Sequence, residues 1–360
     1  MSPRHYAFLL VLALIVTAVV TPLVRRLALR YGLVDEPGGR KVHSEAIPRI
    51  GGVAIVSGFA AALVVQSFGE TWWGWGGELT EGGQEFAAVL AGLAVIFVVG
   101  LLDDLVTLSP GQKFVGQLAA AGIVIAWGPR VEFIADPFSG GLIYLGLMSI
   151  PITLVWILGF TNIINLIDGI DGLAAGITAI AAATFLLLAA QSNQLVAAAC
   201  AAALVGACLG FLRYNFPPAS IFMGDSGALF LGFALATISL LGVMKSVAAI
   251  TLVVPLLVIW VPIFDTGSAI IRRWRHGRPI QEADRGHIHH RLLGRGFDQR
   301  QTVLIIYAWS ILLAFGGYAM RWVPTVVKLG VFVVLAILTA FMAYWLGIFE
   351  AAHHHPEDEG

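Results

Sequence analysis

The chain has 360 residues, 58% hydrophobic and only 12% charged, with a mean hydropathy of +0.87. Soluble domains carry about twice that charged fraction, so a polytopic membrane protein is the reading that remains. A formal net charge of −1 excludes little, because the placement of charge carries the information. From the N-terminus, eleven apolar stretches are candidate spans, near 6–24, 50–68, 86–102, 113–127, 142–161, 173–190, 195–212, 228–243, 247–271, 303–320 and 325–349. Several approach the ~17–25 residues that a helix needs to cross a bilayer. Arg25, Arg26 and Arg30 follow the first stretch without a small-residue cleavage pattern, so it reads as a retained span. Pro255 and Pro262 break or kink the helix expected near 247–275. Cys200 and Cys208 lie in an Ala-rich apolar run and read as small buried residues.

The expected fold is therefore all-α, with about 11 transmembrane helices in a single domain over 1–350. Polar connections fall at 25–49, 103–113, 162–172, 213–227 and 272–302, and a polar tail covers 351–360. Connections after odd-numbered spans hold 16 of the 21 Lys and Arg residues. The positive-inside rule then places those connections and the C-terminus in the cytoplasm and the N-terminus outside.

Each polar cluster falls on that cytoplasmic side. Arg40-Lys41-Val42-His43 precedes Pro48-Arg49-Ile50-Gly51-Gly52, a turn that suits either lipid or substrate contact. Asp103 and Asp104 are adjacent at the end of an apolar run, and Lys113 is one short loop away. Two acids at a membrane surface call for a cation or a divalent metal. In Asn162-Ile-Ile-Asn165-Leu-Ile-Asp168-Gly-Ile-Asp171-Gly172, polar groups recur every third residue and converge on a small volume. Further on, Asn215 is followed by Phe222-Met223-Gly224-Asp225-Ser226-Gly227. Asp225 suits a helix cap, or Mg²⁺ held together with substrate oxygens, and Phe222 stands where a base could stack. His287, His289, His290 and Arg291 suit phosphate oxygens better than zinc. His353, His354 and His355 sit in the polar tail and read as solvated.

Carboxylates, isolated cations and a histidine cluster on one face form an inventory for phosphoryl transfer, and the membrane setting implies that one substrate is a lipid. A multispan transporter is the distant alternative, although its acids would sit near the midplane with repeat symmetry.

Taken together and in this order, these motifs resemble the polyprenyl-phosphate N-acetylhexosamine-1-phosphate transferases over about residues 1–350. The His-Ile-His-His-Arg form and the Asp265 segment are closer to the WecA/TagO-like branch than to the MraY-like branch. The resemblance implies transfer of a sugar-1-phosphate, GlcNAc-1-phosphate first, from a UDP-amino sugar to undecaprenyl or related polyprenyl phosphate, with release of UMP. It implies the first membrane step of an envelope glycopolymer such as lipopolysaccharide or teichoic acid, in a multi-pass bacterial plasma-membrane enzyme with a cytoplasmic site. The alternative within the family is the phospho-N-acetylmuramoyl-pentapeptide transferase of peptidoglycan synthesis. By resemblance, Asp225 and Asn165 hold Mg²⁺ (Mn²⁺ as a substitute), and Asp103, Asp104, Lys113, Asp168, His287, His289 and His290 serve catalysis. Lys41, His43, Arg49, Asn162, Asp171, Asn215, Phe222, Gly224 and Arg291 would contact substrate. No nucleic acid is expected as a partner, and homodimer formation stays open.

Overall fold

The computed structural model describes residues 3–35, 46–75, 79, 82–135, 141–243, 253–275 and 286–348. It divides into two compact units, Met1–Pro255 and Leu256–Gly360. The first unit contains α1 (Pro3–Tyr31), α2 (Gly52–Trp72), α3 (Gly83–Val106), α4 (Pro110–Trp127), α5 (Ser149–Ile167), α6 (Leu173–Gln191), α7 (Leu195–Asn215) and α8 (Gly224–Ile238). Two short antiparallel pairs accompany them: β1 (Val34–Asp35) with β2 (Ile47–Pro48), and β3 (Phe133–Ala135) with β4 (Leu142–Tyr144). A short helix, α9 (Val253–Val258), straddles the division. The second unit contains α10 (Trp260–Arg275), α11 (Ile288–Gly294), α12 (Gln299–Ala319) and α13 (Thr325–Trp345).

Among the described residues, eight helices are long and apolar enough to cross a membrane: α1, α2, α3, α5, α6, α7, α8 and α12. The protein is thus a helical multi-pass membrane protein. Residues 142–144, expected to open a span, instead form β4, and α5 runs on to Ile167. The expected break in the helix near 247–275 falls at Ile259, between α9 and α10. Pro262 lacks the N–H that would continue the ladder back to Val258, four residues earlier.

Helix α8 is the axis of the first unit. It is apolar on every side and 89% of its span is buried, as expected of a helix surrounded by other helices. α3 and α5 pack along it, while α1, α2, α6 and α7 complete the bundle. Small residues permit close approach where lipid would otherwise compete for the same apolar surfaces. On α7, a Cβ at Gly206 or Gly210 would lie 2.0 Å from the Leu10 carbonyl or 2.5 Å from the Leu14 carbonyl of α1. Those two glycines bring the backbones together.

Candidate active site

α3 ends in Asp103-Asp104. Successive residues on a helix point about 100° apart, so the two carboxylates meet different partners. Asp103 turns toward the α3–α4 connection, where its Oδ1 accepts the Leu108 N–H at 2.7 Å. That connection is tight: Thr107 has φ +54°, and a Ser109–Gln112 capping box with Pro110 in the first turn starts α4 at once. One turn into α4, Lys113 comes back over the site. Its Nζ lies 3.1 Å from Asp103 Oδ2 and also contacts Asp225 Oδ2. The sequence-expected cation therefore joins the end of α3 to the start of α8.

Asp104 faces the other way and is buried. Its oxygens accept the N–H groups of Asp225 at 2.8 Å and Ser226 at 3.0 Å, capping the N-terminus of α8 with negative charge. The backbone around that terminus is packed too tightly for side chains. Gly224 turns the chain at φ +71°, and a Cβ there would lie 2.0 Å from the Arg49 carbonyl and 2.6 Å from Asp104 Oδ2. A Cβ at Gly100 would meet the Asp225 carbonyl at 2.5 Å, and one at Gly52 would meet Gly227 N at 2.1 Å. Residues 48–52 hold the segment before α8 through three backbone hydrogen bonds. Phe222 N–H donates to Pro48 O (2.7 Å), Gly51 N–H to Phe222 O (2.9 Å) and Gly52 N–H to Met223 O (2.7 Å). Phe222 is half-buried beside them, and Arg49 Nε is buried without a hydrogen-bond partner.

The polar repeat at 162–171 divides between a helix and a turn. Asn162 lies within α5, where its amide pairs reciprocally with Gln117 of α4 at 2.8 and 3.2 Å. Asn165 lies one turn further on and is half-buried. Asp168 caps the C-terminus of α5 and is also half-buried. Burial, followed by the charges of Asp225, Asp104 and Asp171, holds its carboxyl well above the ordinary range. Asp171 Oδ2 accepts the Ala219 N–H at 2.8 Å. Asn215 is buried: its Oδ1 accepts the Gly172 N–H at 3.0 Å and its Nδ2 donates to Ile221 O at 3.0 Å. Both residues tie the turn after α5 to the segment leading into Phe222. Gly172, at φ +75°, occupies a conformation that glycine adopts without strain.

Asp103, Asp104, Lys113, Asp168, Asp171 and Asp225 thus form one electrostatic group with more acids than cations. Among the described residues no cluster of three His, Cys, Asp or Glu side chains makes a closed metal cage. All-oxygen donors in excess of positive charge still fit a hard divalent cation that takes one or two carboxylates and completes its shell with phosphate and water. Lys113 supplies the positive charge between Asp103 and Asp225.

The histidine cluster belongs to the second unit. Asp265 of α10 lies with Oδ2 2.9 Å from His287 Nδ1, and its Oδ1 accepts the Ile288 N–H at 2.7 Å. The His287 and His289 rings stack with centroids 5.7 Å apart, and His290 lies 4.2 Å from His289. His289 is buried, and its pKa is pushed down to about 3 by burial and then by His290, so the ring is neutral. Arg291 donates Nε to Gly286 O at 3.0 Å and turns its Nη groups to the carbonyls of Leu346, Gly347 and Ile348. Arg272 donates to Ile348 O at 2.8 Å, and Arg295 reaches Trp345 O. The Nη donors of Arg291 are thus directed at the residues just past α13, where carbonyls lack helical partners. Lys41 and His43 lie outside the described residues.

Sequence reasoning missed Gln117 and Arg272. Gln117 follows Lys113 by one helical turn, the spacing that shares a face, and that was the available signal.

Residues 86–243 match the model of glycosyl transferase family 4. The chain is 38% identical to the "Probable undecaprenyl-phosphate N-acetylglucosaminyl 1-phosphate transferase" of Bacillus subtilis, over 94% of this chain and 91% of that protein. It is 38% identical to the decaprenyl-phosphate N-acetylglucosaminephosphotransferase of Mycobacterium tuberculosis, over 87% and 82%. It is 31% identical to the phospho-N-acetylmuramoyl-pentapeptide-transferase of Desulforudis audaxviator, over 87% and 95%. With the acid–lysine centre at the head of α8 and relatives aligned over nearly their whole length, the chain belongs to the polyprenyl-phosphate N-acetylhexosamine-1-phosphate transferases.

Proposed function

We propose that the protein transfers N-acetylglucosamine-1-phosphate from UDP-N-acetylglucosamine to a polyprenyl phosphate and releases UMP. The observation that carries this is the Lys113 bridge between Asp103 and Asp225 beside the crowded carboxyl of Asp168. The names of the more similar relatives favour N-acetylglucosamine over the muramoyl-pentapeptide sugar.

An oxygen of the lipid phosphate attacks the sugar-linked phosphorus. The new P–O bond forms as the bond to UMP breaks, and UMP departs with the bridging oxygen. The acceptor's second pKa of ~6 leaves it mostly dianionic near neutrality, so proton abstraction by an aspartate contributes little. Catalysis is then mainly alignment and neutralisation of charge. Mg²⁺, held by Asp225 with Asn165 near the donor pyrophosphate, would neutralise charge on the phosphoryl oxygens. Lys113 draws the end of α3 and the start of α8 together and offers an ammonium to phosphate. Arg49, whose carbonyl lies beside Gly224 and whose buried Nε has no hydrogen-bond partner, suits a second phosphate contact. Phe222 offers a stacking face to uracil, and Asn215 and Asp171 hold the segment that presents it. Arginine placement in the sequence favours a cytoplasmic active face, and the bacterial sources of the relatives favour a bacterial plasma membrane.

The test is UMP release by purified protein with undecaprenyl phosphate and Mg²⁺ across a panel of UDP-sugars. Release with UDP-N-acetylglucosamine that requires both lipid and metal is the expected outcome. Asp225→Asn should abolish it without lowering the melting temperature, and parent-like rates would defeat the metal assignment. Release only with UDP-N-acetylmuramoyl-pentapeptide would move the protein to the other branch.

A further inference from the structure

Helix α4 carries Lys113 one turn before two neighbours that fasten it to different helices. Gly116 seats it on α3: a Cβ there would lie 2.5 Å from Val99, which precedes Asp103 by one turn. Gln117 fastens it to α5 through the reciprocal amide pair with Asn162, and Asn165 follows Asn162 by three residues. Lys113 at the start of α4 and Asp168 at the end of α5 both interact with Asp225. The two helices therefore run antiparallel, and the amide pair forms the layer directly beneath the acid–lysine centre. Along the helix axes that layer is about 6 Å from Lys113 and about 4.5 Å from Asn165.

The pair has one orientation. Leu158 O can only accept, and Asn162 Nδ2 donates to it at 2.8 Å. That contact fixes which way the Asn162 amide faces. Its second N–H then donates to Gln117 Oε1 at 2.8 Å, and its Oδ1 accepts from Gln117 Nε2 at 3.2 Å. Both N–H groups of Asn162 are thus engaged within the protein, and the direction of the Gln117 amide follows from them. Gln117 keeps only 3% exposure, so its amide depends on this partner rather than on water. Apolar side chains would fill the same seam without fixing its register, because their attraction is non-directional.

We propose that Gln117 is a positioning residue for the transfer: through Asn162 it sets the register of α4 against α5, and so where Lys113 stands opposite Asn165. Its part in the transfer rests on the reading above; its placement of Lys113 does not. Gln117 acts from beneath the centre and touches neither substrate.

Gln117→Met, which keeps the volume but not the hydrogen bonds, separates this role from packing. With UDP-N-acetylglucosamine, undecaprenyl phosphate and Mg²⁺ it should lower kcat about 10–100-fold, as a displacement of about 1 Å does. KM for each substrate should change by less than about threefold. The exchange variant Gln117→Asn/Asn162→Gln keeps both amides and their summed length. It should be at least about fivefold faster than either Gln117→Asn or Asn162→Gln. A readout independent of turnover is acylation of Lys113 by acetic anhydride, followed by mass spectrometry with Lys328 of α13 as the internal reference. In Gln117→Met, Lys113 should react about 1.4–5-fold faster as its pairing loosens, and Lys328 should not change.

Unchanged Lys113 acylation, an equal rise at Lys328, or a KM change in place of the kcat change would overturn the proposal. So would an exchange variant that does not fold or is no faster than its single variants. The exchange variant decides if Gln117→Met does not fold. A parent protein that releases no UMP while Lys113 acylation responds as expected would defeat the transferase reading and leave the positioning standing.

Discussion

The Asp104 carboxylate holds the backbone of Asp225, accepting its N–H at 2.8 Å and that of Ser226 at 3.0 Å. Its neighbour Asp103 instead pairs with the Lys113 side chain. Asp104→Ala should therefore cost about 2–3 kcal/mol of stability, because two buried N–H groups lose a charged acceptor. Asp103→Ala, which removes a partly solvated pair, should cost no more than about 1 kcal/mol while slowing turnover. Reversible denaturation of the two variants in detergent decides the matter, and equal losses would refute the division of labour.

Asp168 gives the stability a pH dependence. In the folded protein its carboxyl holds its proton well above the model value of 3.8, chiefly through burial. The folded state thus binds more protons than the unfolded chain between that pH and the raised pKa, so stability falls as pH rises through the window. Without divalent metal, Asp168→Asn should melt near the parent temperature at about pH 4 and above it at about pH 8. Added Mg²⁺, which favours the ionised form, should narrow the gap. A melting difference that is independent of pH would show that Asp168 is not held protonated.

Phe222 stands beside residues 48–52 with part of its ring accessible. Stacking of an aromatic side chain on a base is worth about 1–3 kcal/mol. Phe222→Ala should raise KM for the UDP-sugar roughly 5–150-fold and leave KM for the lipid phosphate within about twofold. Steady-state kinetics with each substrate varied in turn will separate the two, and equal changes would argue against stacking.

The reciprocal amide pair of Gln117 and Asn162 joins α4 to α5 inside apolar surroundings. Asn162→Leu should destabilise by about 1–3 kcal/mol by stranding a buried Gln117. Converting both to Leu should recover at least about 1 kcal/mol of the summed single losses. Strict additivity in denaturation would mean the amides act independently.

The helical class and most spans were legible because apolar runs of membrane length have few other solutions. The acids and Lys113 were legible as charges, and the structure brings Asp225 to Lys113 across 112 residues, with Asp103 beside them. What the sequence concealed were contacts made by backbone. Nothing in the residue types says that Asp104 caps α8, or that Asn215 is engaged on both edges by Gly172 and Ile221. Arg291 reads as a phosphate donor in sequence, and only the fold places the end of α13 against its guanidinium. Residues 142–144 read as membrane helix because apolar character alone does not separate a short strand from the start of a span.

The glycine contacts at the head of α8 also impose an order in time. Asp104 leaves the ribosome 121 residues before the amide it holds, so α3 must wait in the bilayer while later helices are inserted. Closing so long a loop costs little more than closing one half its length. The final step, however, is the meeting of main chains at Gly52, Gly100 and Gly224, where no side chain can be accommodated. A nascent chain that ends before Ser226 therefore has its acids but no centre. The acid–lysine centre forms only when α8 slides between α2 and α3.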